Sequence, residues 1–176
     1  PPLVALASGA DADPALGALA AAGPRAAADP ARYAFVVEAI REGYLSHYED
    51  SRLLDRPDPD LALLAGDLFY AVGLNDLAGL GDLESTGILS DLIRVAADLR
   101  AAGCADSAER LWLVQTIALS CGKPDDYEGR LAAVAAGDPE ALEELFAWAK
   151  TTADGLGMGA EFDVACKAIH LRPSNL

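Results

Sequence analysis

Basic residues are scarce in this chain: 13 Lys and Arg stand against 28 Asp and Glu, for a net charge of -15 at pH 7. Non-specific affinity for a phosphate backbone comes from Lys and Arg displacing counterions, so nucleic acid is excluded as an expected partner. The same charge repels an anionic membrane surface and keeps the exposed faces solvated. Cysteine is scarce too. Cys104, Cys121 and Cys166 are odd in number and far apart, which excludes a disulfide framework and a CxxC metal site and points to a reduced, cytoplasmic compartment. With only His47 and His170 beside them, a zinc site lacks ligands at any usual spacing, and no metal or cofactor is expected. No apolar run reaches the ~18 residues that a bilayer span needs, so no transmembrane segment is expected. The N-terminus also lacks a basic segment followed by a long apolar core. GxSxG, P-loop and GxGxxG patterns are absent, which leaves no candidate nucleophile or phosphate cradle and no expected catalytic residue.

Aromatic residues make up only 6% of the chain, while alanine supplies about a fifth of it and leucine is frequent. Small, helix-favouring residues let helices approach closely, so the expected fold is all-α, a single-domain helical bundle of about six to eight helices. Residues 1–28, rich in Ala, Gly, Pro and Asp without periodicity, are expected as a mobile or weakly helical N-terminal arm, and residues 29–176 as the helical domain. Asp29-Pro30 pairs an N-cap with proline at the first helical position. Tyr33, Val36, Val37, Ile40, Tyr44 and Tyr48 then recur at helical spacing opposite Glu38, Arg41 and Glu42. Asp58-Pro59 repeats the start signal for a helix from Leu61 to about Leu74, apolar on nearly every side and hence expected in the middle of the bundle. Gly73, Gly79 and Gly81 punctuate the next short segment, and Ile88, Leu92, Val95, Ala96 and Leu99 form the stripe of another helix, up to Gly103. Asp106 with Glu109 spells a capping box for a helix reaching Ser120. Further helices are predicted over Tyr127 to Ala136, from Asp138-Pro139 onward, and around Phe162 to Ile169.

One stretch carries more than composition. His47 lies at the end of the first strong helix, a polar loop with Glu49, Asp50, Arg52, Asp55 and Arg56 comes next, and the helix after it contains Leu64-Ala65-Gly66-Asp67. This order resembles the trans-isoprenyl diphosphate synthase (polyprenyl synthetase) family, in which a helix ends in a His before an Asp-rich DDxxD motif, an Arg-containing loop succeeds it, and the next helix opens on LAGD. The resemblance covers about residues 33–102 and implies an isoprenoid-synthase-like bundle in truncated form. The chain departs from the family where the chemistry lies. Tyr48, Glu49 and Ser51 stand where aspartates belong, the paired arginines for a second substrate are absent, and the only pair of adjacent aspartates, Asp125-Asp126, falls in a Gly/Pro turn. Prenyl transfer needs two facing carboxylate clusters that hold Mg²⁺ against a diphosphate, so the resemblance implies a scaffold without its metals.

The residues allow three functional readings, in descending order of support. A non-catalytic interaction or accessory subunit, working with a protein partner or as a homo-oligomer, would present an exposed apolar helix face, with a helix such as Leu61 to Leu74 turned toward the partner. An isoprenoid or other apolar small-molecule binding module would keep a closed, elongated cavity lined by Tyr, Phe and Leu. A residual prenyltransferase would need Asp50, Asp55, Asp125 and Asp126 around one metal. The candidate ligand-binding residues are Tyr44, His47, Asp67, Phe69 and Tyr70, with Tyr48 beside them, between the first two helices of the domain. Asp67, set in an apolar helix, is expected to be buried and to close a polar network with an arginine such as Arg41 or Arg94. The aromatic spacing serves ordinary core packing as well.

Overall fold

Three of the helices begin with the same two residues. Asp29-Pro30, Asp58-Pro59 and Asp138-Pro139 each place a carboxylate that accepts from a first-turn amide, Arg32 N at 3.3 Å, Leu61 N at 3.0 Å and Glu140 N at 2.9 Å. The proline after each aspartate lacks only an N–H that the first turn leaves unpaired anyway. In the computed structural model, which describes residues 14–169, these pairs start α2 (Pro30–Tyr48), α3 (Pro59–Leu80) and α7 (Pro139–Gly155). The other helices are α1 (Ala15–Ala22), α4 (Leu83–Ala101), α5 (Ala105–Cys121), α6 (Tyr127–Ala135) and α8 (Gly159–Ala168). The described residues thus form an all-α bundle of eight α-helices without a strand. Residues 1–13 of the expected N-terminal arm, and His170, lie outside the described residues. The rest of that stretch contributes to the core: α1 packs Leu16, Leu19 and Ala20 against α2, α5 and α8. Its alanine-rich sequence has too little apolar contrast to show a period.

The helix enclosed on all sides is α5. Leu111, Trp112, Leu113, Val114, Ile117, Ala118 and Leu119 are fully buried, and α1, α4, α7 and α8 pack around them. Its buried hydroxyls are satisfied within the helix, Thr116 Oγ1 donating to Trp112 O at 2.8 Å and Ser120 Oγ to Thr116 O at 2.9 Å. Sequence reasoning expects α3 in that central place and ends it near Leu74. Instead α3 runs on through Gly73 and Gly79 to Gly81, whose φ of 73° closes the helix. It lies on the outside, with Leu64 68% and Leu68 61% exposed and only Gly66, Gly73 and Leu77 buried. An apolar circumference says nothing about how many neighbours will cover it, and here α2 does most of the covering. By length and composition α3 reaches a bilayer span, with a mean hydropathy of 1.4 over an 18-residue window. It is nevertheless packed along a charged helix, α2, and carries Asp60, Asp67 and Asp76.

Glycines bring α2 and α3 together. A Cβ at Gly43 would stand 2.6 Å from the Tyr70 ring and 3.0 Å from Gly66 O, and one at Gly73 would stand 2.7 Å from Ile40 Cγ1 and 3.2 Å from Val36 O. Backbone therefore meets backbone, and Arg32 locks the far end of the seam by donating from Nε to Asp76 Oδ2 at 2.8 Å. At the turn into α4, Asp82 caps Ser85 N at 2.9 Å and accepts from Tyr33 Oη at 2.6 Å.

The face of α2 that reads as solvent-facing holds two buried charges, Arg41 and Glu42. Arg41 forks onto Glu109 of α5, with Nη1–Oε1 at 3.2 Å and Nη2–Oε2 at 2.8 Å, and its guanidinium lies 4.9 Å and 5.0 Å from the Tyr44 and Trp112 ring centroids. Glu109 thus ties α5 to α2, and no capping box forms with Asp106: Cys104 is the N-cap of α5 and makes no side-chain cap bond. Burial pushes the Glu109 carboxyl upward while the Arg41 charge opposes that rise.

This packing is testable by stability measurements. Gly43→Val is expected to lower unfolding free energy by about 1–3 kcal/mol through overpacking. Gly87→Ala, where a Cβ meets nothing within 4 Å, should raise it by up to about 1 kcal/mol; urea titrations of both variants check the contrast. Arg41→Met should cost about 3–5 kcal/mol because it leaves Glu109 as an uncompensated buried charge. Adding Glu109→Leu should restore most of that loss, which a double-mutant cycle in urea would read as strong coupling.

Candidate functional site

Pinning α3 to α2 leaves an apolar groove along the outer flank of the pair. α2 supplies Phe35, Glu38, Ala39 and Glu42, one turn apart; α3 supplies Leu68, Phe69 and Val72; Arg52 and Leu53 of the connecting loop and Pro14 complete the lining. The groove encloses about 300 Å³ and is open to solvent, with Phe35 half exposed at its edge. Leu63 and Leu64 extend the exposed apolar surface along α3 beyond it.

The polar groups of the groove wall are all engaged with one another. Glu42, almost fully buried, accepts from Ser51 Oγ (2.6 Å), Arg52 N (2.9 Å) and Leu53 N (3.3 Å) on Oε1 and from Arg52 Nε (2.9 Å) on Oε2. Glu38 Oε2 accepts from Arg52 Nη1 at 2.8 Å, and its Oε1 accepts from Gly17 N at 2.6 Å. One guanidinium between two carboxylates therefore fixes the loop after α2 against both α2 and α1. What remains for a visitor is apolar surface.

The expected ligand residues are divided by the seam. Phe69 lines the groove. Tyr44 is core: its ring lies 5.5 Å from Trp112 and 5.2 Å from Tyr48, and burial pushes its hydroxyl well above the ordinary range. His47 stacks on Tyr70 with ring centroids 5.3 Å apart and planes 16° from parallel, filling the space above Gly66. Its Nε2 lies 3.2 Å from Asp67 Oδ1. Asp67 is 75% exposed on its side chain, which overturns the expected burial. The expected arginine partners are engaged elsewhere, Arg41 with Glu109 and Arg94 with Asp91 and Asp98 on its own helix. Asp67 sits on the outward side of α3, where its apolar neighbours do not desolvate it.

Sequence reasoning misses Phe35 and Leu53, and covers Leu68 and Val72 only as members of the apolar run Leu61 to Leu74 that the interaction reading turns toward a partner. The signal for Phe35 lies one position off the inward stripe of α2. Leu68 and Val72 are hidden in a helix apolar all round, so no contrast marks their face. Among the described residues no three His, Cys, Asp or Glu side chains converge as metal donors. Asp50 and Asp55 lie in the loop between α2 and α3, and Asp125 and Asp126 directly precede α6.

Glu42→Ala should release this loop. Removing one member of a buried ion pair is expected to cost about 3 kcal/mol or more, and hydrogen exchange at Ser51 to Leu54 should speed up well beyond that of the α5 amides. Mass-resolved exchange together with urea unfolding would check both effects. Comparison with protein-family models, with curated proteins and with solved structures finds no match for this chain.

Proposed function

We propose that this chain is a non-catalytic helical interaction protein, an accessory subunit that holds a protein partner along α3. The observation that supports the reading is the exposed row Leu64, Leu68 and Val72, flanked by Phe35, Leu53 and Leu63, on a helix buried on one side only. Burying a side chain of this size stabilises by about 1.5–3 kcal/mol, and an isolated chain leaves most of that unused. A contiguous surface of this kind belongs to contact with another molecule. The scaffold reading rests on a short resemblance to trans-isoprenyl diphosphate synthases. Support for it comes from the contact between His47, at the end of α2, and Gly66-Asp67 of the LAGD segment. Some members of that family form heterodimers with inactive small subunits, the role that the degenerate acidic motif fits.

A second reading is a binding module for an isoprenoid or another apolar small molecule. The groove volume of about 300 Å³ supports it, at the lower end of ligand-pocket sizes; the open side of the groove favours the protein partner. A residual prenyltransferase has the least support, since the acidic residues it would need do not converge.

Native mass spectrometry of the protein isolated gently from its own cells separates these readings. A second polypeptide at fixed stoichiometry, lost in the Leu64→Ser/Leu68→Ser variant, is the expected result. A monomer that releases an isoprenoid on denaturation would establish the second reading in its place.

A further inference from the structure

We infer that the groove takes a basic amphipathic helix, seated with its cationic end against the loop between α2 and α3; this rests on the interaction reading of α3. The shape comes from the row itself. Leu64, Leu68 and Val72 succeed one another at intervals of four residues, forming a ridge beside the trough walled by Phe35, Ala39 and Phe69. Such a ridge and trough accept a helix with apolar anchors at i, i+3 or i+4, and i+7. Because Glu38, Glu42 and Arg52 are spent on one another, the trough itself selects only for apolar side chains.

Charge selection falls to the rim, and the rim is one-sided. Asp60 heads the same row one turn before Leu64, and Asp50, Asp55 and Asp58 lie in the loop that leads into it, all exposed. Among the described residues none of these four is in an ion pair, and Arg56 is the one exposed cation in the loop. Asp67 adds an exposed carboxylate on the first half of α3. At the other end of the row Asp76 is neutralised by Arg32. The field along the groove therefore runs from strongly acidic at the loop to neutral beyond Val72, which orients a cationic helix as well as attracting it. A second copy of this chain fits poorly, because it would bring another net charge of -15 to the same rim. An anionic bilayer is repelled for the same reason.

The test uses three 18-residue leucine-based model peptides with one shared apolar stripe and a polar face of Lys, Gln or Glu, titrated by fluorescence anisotropy into the full chain. The Lys peptide should bind about tenfold or more tighter than the Gln peptide at low salt, and the Glu peptide should bind most weakly. Leu64→Ser/Leu68→Ser, exposed positions that leave the fold intact by circular dichroism, should weaken the Lys peptide about tenfold. Asp55→Asn/Asp60→Asn should remove most of the Lys advantage and leave the Gln peptide unchanged. Equal binding of all three peptides, lost in Leu64→Ser/Leu68→Ser, would overturn the basic partner and keep the interaction reading. Lys-peptide binding that ignores Leu64→Ser/Leu68→Ser would overturn the groove as its seat. A concentration-dependent dimer, or binding to phosphatidylcholine vesicles, abolished by the same variant would replace the proposal by a second copy or a lipid surface. Peptide binding gained only on deleting residues 1–13 would replace it by the chain's own first residues.

Discussion

The contact of Gly43 with Gly66 governs where this protein puts its apolar surface. Two helices separated by ordinary side chains share a broad interface, each covering a wide stripe of the other. Here glycines bring the two backbones together, with the Gly66 carbonyl only 3.0 Å from where a Gly43 Cβ would be and with Tyr70, His47 and Ile40 packed over the glycines. Close approach gains dispersion contacts along the seam, yet glycine carries no side chain that could bury apolar area. Leu77 is buried against the core, while Leu63, Leu64 and Leu68 point elsewhere. With α4 touching α3 only lightly, elsewhere is solvent.

The charges of α2 keep that arrangement from relaxing. Arg41 faces inward and is held by Glu109 of α5, while Glu42, the next residue, faces the loop and is held by Arg52. Adjacent residues on a helix diverge by about 100°, so the two pairs fix the rotation of α2 about its own axis. Turning α2 to offer α3 a broader apolar face would pull both charges from their partners, a loss of several kcal/mol each. The exposure of Leu64 and Leu68 is in this sense tied to ion pairs on two faces of a neighbouring helix.

Much of the fold is legible in the sequence because its signals are local. An Asp-Pro pair is a start signal held in two neighbouring residues, and three such pairs start helices where periodicity puts them. The illegible part depends on partners distant in the chain. Arg41 and Glu42 read as a solvated face because charged residues seldom bury; Glu109 lies 68 residues from Arg41, and nothing local announces the pairing. Asp67 shows the converse, since an apolar helix around a carboxylate suggests burial only if that helix is itself enclosed. The candidate site is the least legible part. Phe69 stands out through its aromatic character, whereas Leu68 and Val72 look like any core residues until the missing neighbour is seen.

Charge distribution bears on what α3 is for. Natural chains blunt exposed apolar helices with charge, and α4 does so with Arg94, Asp91 and Asp98 along its surface. α3 departs from that practice over its Leu63-Leu64 and Leu68 turns, in a protein whose net charge of -15 shows no shortage of polar residues. The row Leu64, Leu68 and Val72 carries no charge of its own, whereas the loop before α3 and its first turn hold Asp50, Asp55, Asp58 and Asp60, with Asp67 beside the row. Segregation into an acidic end and an apolar row gives an approaching molecule both an attraction at long range and a dry contact at short range. That division of labour is what the docking face proposed for α3 would require.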